Sequence, residues 1–321
     1  MSQPTDFEVR VRTLRHEAKD VISLELVPYG GAFLPRFTAG SHIDVHLPNG
    51  LSRSYSVMNP QGDVDRYLIG VYRDPKSRGG SKYIHDELRV GKLLRISAPR
   101  NNFPLAEISP RNVFIAGGIG VTPFCSMLDR LNALGKKWLL YYCVRTREHA
   151  GFIDRLEHLA AAGGSDIIFN FDREPGGQVL DIATILALEP PDAQVYCCGP
   201  TGMLNAFKEA CQSRKSEFVH LEYFSSAIAP AVKGGFKVVL ARSGRSVFVP
   251  EGNTILEVLL AEGLDIPYSC QQGICAACET TVLAGVPDHR DMILTPDQQA
   301  SNKVMMICCS GSKSDEIVLD R

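Results

Sequence analysis

The sequence predicts a multidomain α/β plus β protein: a small antiparallel β-barrel, a Rossmann-like parallel α/β domain, and a separate C-terminal domain. Three observations carry this prediction. Apolar residues alternate with a period of two through parts of the first hundred residues. The rhythm becomes strand–helix–strand from about 111 to 224. A short stretch containing Pro230 and a Gly pair then precedes a new strand-like run at 236. A length of 321 residues leaves room for about two or three domains.

Within 21–26, Ile22, Leu24 and Leu26 alternate with Val21, Ser23 and Glu25. Within 42–47, Ile43, Val45 and Leu47 alternate with His42, Asp44 and His46. That period marks half-buried strands. Further strand-like runs lie at 52–58, 66–73 and 93–98, with turn residues between them, so 1–108 is expected to form the barrel. In 109–225 the apolar run 113–116 is followed by Phe124, Met127, Leu128, Leu131 and Leu134, spaced as one helix face. Strands at 138–144, 166–171 and 195–198 and helices at 154–162 and 203–211 continue the alternation expected of a parallel sheet. Residues 226–235 have linker composition. Residues 236–321 start again with strands at 236–241 and 247–249 and a helix through Ile255, Val258 and Leu259.

Composition narrows the function. The chain is 45% apolar and 22% charged with a net charge of −2, an ordinary globular balance without the basic footprint of a nucleic-acid binder. The longest apolar run, 138–144, is far short of the ~18 residues of a membrane helix, so no membrane association is expected. The first twenty residues lack a signal-peptide core, and a cytoplasmic chain with reduced thiols is expected. Ten cysteines then call for metal or redox chemistry. Residues 236–321 carry 7 Lys/Arg against 11 Asp/Glu, an acidic surface suited to orienting a partner or merely to solvation.

Cys270, Cys275 and Cys278 form C-x4-C-x2-C, and Cys308 is a fourth candidate further along. This is the plant-type spacing for a [2Fe–2S] cluster, in which a tight loop supplies three thiolates and a remote position the fourth. Gly273 allows the loop to bend around the cluster. The alternatives are a zinc staple, which would pair Cys275/Cys278 with the adjacent and poorly placed Cys308/Cys309, or unrelated buried thiols. The cysteines at 125, 143, 197, 211 and 309 read as core fillers.

Between a strand and a helix stands Ala116-Gly117-Gly118-Ile119-Gly120-Val121-Thr122-Pro123. Glycines let backbone approach a pyrophosphate, the helix N-terminus supplies N–H groups, and Pro123 suits the first helical turn. Cys198-Gly199-Pro200 likewise joins a strand to a helix, so both loops are expected at the carboxyl ends of parallel strands, where such sheets bind ligands.

Arg53-Ser54-Tyr55-Ser56, Gly79-Gly80-Ser81, the two glycine loops and the cysteines follow one another in a fixed order. That order resembles the phthalate dioxygenase reductases, which serve two-component Rieske oxygenases, and the resemblance spans essentially the whole chain. It implies an FMN-binding barrel with Arg53, Tyr55 and Ser56 against the flavin and Val71 and Tyr72 on the strand lining it. It also implies that Gly79, Gly80 and Ser81 hold the FMN phosphate; Ser81 is expected to cap a helix at 82–88, an anion site. Phe224 matches the aromatic that covers the flavin until nicotinamide displaces it. Gly117, Gly118, Gly120, Thr122, Pro123, Cys198, Gly199 and Pro200 would receive NADH, with Thr122, Cys198 and Phe224 shaping the hydride site. The resemblance further implies a C-terminal β-grasp ferredoxin domain with Cys270, Cys275, Cys278 and Cys308 as cluster ligands. Cys308 is preferred to Cys309 only by register with that family.

The function so implied is transfer of electrons from NADH through FMN and the [2Fe–2S] cluster, one at a time, to a terminal oxygenase by a monomeric reductase. Plant-type clusters near about −400 mV and Rieske centres at about −150 mV or above make that direction downhill. No acid or base is required, so His85 and His289 read as structural, and Cys198, without a neighbouring His or acid, as packing. Arg145 and Arg147 leave NADPH open. Rival readings are a reductase for a diiron or other non-Rieske oxygenase, or a flavin-free, zinc-stapled nucleotide sensor. Two residues depart from the family pattern: Ala276 replaces the usual Gly of C-G-x-C, and Gly311 the usual Arg after Ser310.

Overall fold

The period-two segments become six antiparallel strands in the computed structural model, which describes residues 6–31, 33–226 and 228–321. They are β1 (Asp6–Ala18), β2 (Val21–Pro28), β3 (His42–His46), β4 (Ser52–Ser56), β5 (Tyr67–Tyr72) and β6 (Leu93–Ser97), with helix α1 (Gly80–Asp86) before β6. Their order is β4-β3-β6-β1-β2-β5. A bridge from Val57, just past β4, to Ile69 in β5 joins the two edges and closes the barrel. Val9, Leu24, Ile43, Val45, Ile69 and Val71 fill the inside.

Strand β3 differs from expectation. His42 and Asp44 are buried rather than facing solvent. Asp44 pairs with Arg100 and accepts a hydrogen bond from the Ser54 hydroxyl at 2.7 Å, so its burial is compensated by charge and hydrogen bonding. Helix α1 also begins earlier than expected. Its cap is Gly79 in the left-handed region (φ 99°) without a side-chain cap bond, and Ser81 lies inside the first turn. The Ser81 hydroxyl instead accepts the Asp74 amide at 3.3 Å.

The same compact unit, Met1–Glu222, holds the parallel sheet. It comprises β7 (Asn112–Gly117), α2 (Thr122–Ala133), β8 (Trp138–Val144), α3 (Ile153–Gly163), β9 (Asp166–Phe171), α4 (Ile182–Leu188), β10 (Gln194–Cys198), α5 (Thr201–Ala210) and β11 (Val219–Glu222). The order β11-β10-β7-β8-β9 reverses between β7 and β10, the switch point at which open parallel sheets bind ligands. Strand β11 and helix α4 were not anticipated; at four and seven residues they are too short to show a period.

Barrel and parallel sheet share a core in which Met58 and Phe103 pack with Phe114, Phe124 and Tyr196. The Gly40 amide donates to Ser126 Oγ at 3.2 Å, and Arg155 donates to the Met58 carbonyl at 2.8 Å.

The second unit, Tyr223–Arg321, contains β12 (Phe236–Leu240), β13 (Ser246–Val249), α6 (Ile255–Ala261), β14 (Glu279–Ala284), β15 (Pro287–Asp288), α7 (Pro296–Ser301), β16 (Val304–Met306), β17 (Gly311–Ser312) and β18 (Glu316–Leu319). In the order β13-β12-β18-β14-β16, β12 and β18 run parallel and the other pairs antiparallel, the mixed sheet of a β-grasp fold. Thr254 and Glu257 form a reciprocal capping box on α6, which buries Ile255, Leu256 and Leu259. The segment expected as linker at 226–235 is held to this unit near its end. The Ala231 amide donates to the Cys309 carbonyl at 2.7 Å and that of Gly235 to Val249 at 2.9 Å. No helix among the described residues is long and apolar enough to cross a membrane.

Candidate functional site

The two glycine loops meet at the switch point. A Cβ on Gly117 would lie 2.5 Å from Pro200 Cδ, one on Gly199 2.7 Å from Met203 Sδ, and one on Gly120 would run into the Cys198 carbonyl. These glycines are therefore required by loop-on-loop packing. Gly118 differs: it is left-handed (φ +54°), and a Cβ there would meet nothing within 4 Å. It borders open space, the situation a docking nucleotide needs. Gly118 opens a short 3₁₀ turn that runs into α2, where Pro123 occupies the first turn as expected.

Thr122 is buried, with its hydroxyl donating to the Ile119 carbonyl at 2.9 Å. Its methyl packs on β5 so closely that a Cβ on Gly70 would approach Thr122 Cγ2 to 2.7 Å. The nucleotide loop is thereby brought against the strand that carries Val71 and Tyr72. Val71 points into the barrel core, so its side chain supports the strand from behind; Tyr72 is half-buried and packs toward the shared core.

On β4, Ser56 is 5% exposed, and its hydroxyl has no hydrogen-bond partner among the described residues. Such an orphan costs about 1–3 kcal/mol unless something fills it, and the polar edge of a flavin is of the right chemistry. Burial holds the Tyr55 hydroxyl above its usual range although Arg53 opposes this. Arg53 lies over α1, so that a Cβ on Gly80 would come within 2.7 Å of its Cγ. The guanidinium donates to the Ser52 carbonyl at 2.7 Å and to the Arg78 carbonyl at 3.4 Å. Arg53, Gly79, Gly80 and Ser81 are thus neighbours, a cationic and N–H-rich corner that fits a phosphate. Phe224 is 40% exposed and belongs to the second unit.

Cys198 corrects one expectation. It pairs in register with Glu222 of β11, and its thiol lies 3.9 Å from Glu222 Oε2, so an acid does stand beside it. The acid does not activate the thiol: burial first, and then Glu222, push Cys198 well above the usual thiol range. Burial also pushes the Glu222 carboxyl up to about 8, and it remains protonated at neutral pH. Glu222 went unnoticed because its burial depends on the four-residue strand that sequence periodicity could not reveal.

In the second unit Cys270, Cys275, Cys278 and Cys308 are 3–6% exposed. Cys270 is within hydrogen-bond reach of both Cys275 and Cys308. The Cys270 thiol, and then burial, hold Cys275 far above the ordinary thiol range, and a bound cation would have to displace its proton. Backbone amides already point at sulfur: Gln272 donates to Cys270 Sγ at 3.3 Å, the Ile274 amide also reaches Cys270, and Ala277 donates to Cys275. Crowded buried thiols with amide donors fit an iron–sulfur cluster. Ala276, where a glycine is usual, does adopt the left-handed region (φ +59°). Cys309 adjoins the same group of thiols: its own is within hydrogen-bond reach of Cys308 and packs against Gly273 and Ser310.

Comparison with known proteins agrees with this geometry at each module. Residues 238–312 match the 2Fe-2S iron-sulfur cluster binding domain family, and 114–209 the oxidoreductase NAD-binding domain family. The zinc-stapled, flavin-free reading is thereby set aside. Phenoxybenzoate dioxygenase subunit beta of Ectopseudomonas oleovorans is 48% identical over 97% of this chain and 96% of its own. Tetrachlorobenzoquinone reductase of Sphingobium chlorophenolicum is 48% identical over the full length of both. The solved structure of phthalate dioxygenase reductase, described as modular for electron transfer from pyridine nucleotides to [2Fe-2S], superposes with a TM-score of 0.75 at 35% identity over 98% of each chain. With barrel, nucleotide domain and cluster domain all matched in one polypeptide, the chain belongs to the phthalate dioxygenase reductase family.

Proposed function

We propose that this oxidoreductase takes electrons from NADH and delivers them singly, through FMN and the [2Fe–2S] cluster, to a terminal oxygenase of Rieske type. The observation that carries the reading is the packing of Thr122 on Gly70, which sets the nucleotide loop against the flavin strand inside one packed unit. The bound groups supply hydride acceptance at the flavin and one-electron carriage at the cluster.

In this reading Arg53, Gly79, Gly80 and Ser81 bind the FMN phosphate, while Tyr55, Ser56 and Tyr72 form the flavin wall and Val71 contributes its backbone, its side chain backing the strand. Gly118 and the α2 N-terminus receive the pyrophosphate, and Gly117, Gly120, Gly199 and Pro200 hold the two loops together. Thr122, Cys198 and Phe224 shape the hydride site, and the neutral Glu222 carboxyl beside Cys198 offers both a donor and an acceptor there. Cys270, Cys275, Cys278 and Cys308 bind the cluster. The domains run 1–108, 109–225 and 236–321, with 226–235 between them, in a monomer that works in the cytoplasm.

The deciding experiment is reconstitution: NADH, the holoprotein and a purified Rieske oxygenase, with product measured against NADH consumed. Coupled turnover supports the proposal. Efficient turnover with diiron oxygenases and none with Rieske oxygenases overturns the partner class. A second reading, direct reduction of a halogenated quinone, is favoured by the full-length relative of that name. It predicts that quinone reduction survives loss of the cluster and proceeds without any oxygenase.

A further inference from the structure

Behind the cysteine loop lies a buried polar group that electron transfer from NADH does not itself require. Gly273, left-handed at φ +68°, is held from two sides. A Cβ there would lie 2.5 Å from Cys309 Sγ and 2.9 Å from Asp291 Cα, so only glycine fits. The Gly273 carbonyl accepts the Met292 amide at 3.0 Å, tying the loop to the turn that Asp291 begins. Asp291 is fully buried, and its Oδ2 accepts the Ile293 and Leu294 amides at 3.3 and 2.8 Å. His289, 8% exposed, stands 3.5 Å behind its other oxygen. On the opposite side, Cys309 is fixed by its own carbonyl, which holds the Ala231 amide. The next residue, Ser310, accepts the Arg290 amide at 3.1 Å.

Gly273 is the residue between Gln272 and Ile274, whose amides both donate to Cys270 Sγ. The peptide plane between Gly273 and Ile274 has its carbonyl on the Met292 amide and its N–H on Cys270 Sγ, so rotating it turns the Ile274 amide away from sulfur. Hydrogen bonds to cluster sulfurs raise the reduction potential by stabilising the added electron. We propose that Cys309 and Asp291, the latter backed by His289, are positioning residues that grip Gly273 and so hold the cluster potential up through the Ile274 amide. The proposal rests on Cys270 and Cys308 being cluster ligands. It gives the fifth buried cysteine of this domain, whose thiol is also within reach of Cys308, a task other than ligation.

The test uses the holoprotein. Cys309→Ala and Asp291→Ala should retain iron and acid-labile sulfide at the wild-type ratio while the midpoint potential falls. The fall should change the oxidised-to-reduced ratio at fixed potential by about threefold or more. The reduced-state EPR g values should shift, and amide exchange in 270–278 should speed up. Cys309→Ser, which restores a smaller polar atom against Gly273, should recover part of the potential. The rate of flavin reduction by NADH should not change. Wild-type potential, g values and exchange in both alanine variants would overturn the proposal. Should either lose its cluster, potential and exchange in Cys309→Ser decide in the same way. A different result would sink the ligand assignment instead: iron lost from Cys309→Ser but kept in Cys308→Ser.

Discussion

Ser56 and Glu222 show how single residues carry the account. The Ser56 hydroxyl is buried and unsatisfied among the described residues, so its worth appears with ligand bound. Ser56→Ala should weaken FMN binding about 2- to 10-fold, the value of one hydrogen bond, with little loss of apoprotein stability, as flavin titration would show. Unchanged affinity together with an unchanged hydride-transfer rate would remove Ser56 from the site. Glu222 gives a pH signature. Its folded-state value, about 8, lies above the 4.5 of an exposed glutamate. The unfolded chain therefore ionises first. Any stability linked to this proton is fully present below pH 4.5 and lost as pH rises through about 8. Glu222→Gln removes the dependence, so relative to wild type it should gain stability across that window. Because the residue is only half-buried, the gain should be on the order of 1–2 kcal/mol, read from denaturant midpoints. A flat difference across that pH range would show the carboxyl to be ordinary. Arg53, Tyr55 and Ser56 were legible as a string. Glu222 was not, because a carboxyl is buried by what pairs across from it.

At the scale of elements, the glycine loops were legible in position and only partly in purpose. Sequence placed them after strands and before helices, and both sit there. It reads all their glycines as NADH-binding, and Gly117, Gly120 and Gly199 also answer a packing demand visible only when β7 and β10 lie side by side. Gly120→Ala should therefore destabilise the first unit by about 1–3 kcal/mol through overpacking and raise the KM for NADH, without touching the cluster spectrum. Gly118→Ala meets no neighbour but strains a left-handed residue by about 1 kcal/mol. If Gly118 borders the pyrophosphate, the variant should raise the KM for NADH more than its stability loss explains. Equal, purely structural effects in the two variants would deny Gly118 a nucleotide role. Helix α1 teaches a similar lesson: a Gly-Gly-Ser string reads as a serine cap, yet the chain enters the helix through Gly79, whose freedom at φ 99° supplies the turn.

For the whole molecule, the claim is a division of labour between a unit that accepts hydride and a unit that carries single electrons. The cysteine spacing made the second legible from sequence, since loop geometry around a binuclear cluster leaves few alternatives. How 231–235 is tied down was not legible, because small residues and glycines read as linker whether or not their amides find partners. Phe224→Ala should alter nicotinamide affinity or hydride-transfer rate in stopped flow while FMN stays bound; no change in either would argue against a gating aromatic. The most direct test of the central claim is the visible spectrum of wild type and Cys308→Ser during anaerobic addition of NADH, with ferricyanide reduction measured alongside. The account predicts flavin and iron–sulfur bands that both bleach in the wild type. In Cys308→Ser the iron–sulfur envelope should be absent while flavin bleaching and ferricyanide reduction persist. Loss of NADH-driven flavin reduction in a variant that still binds FMN would contradict the separation of the two units' tasks.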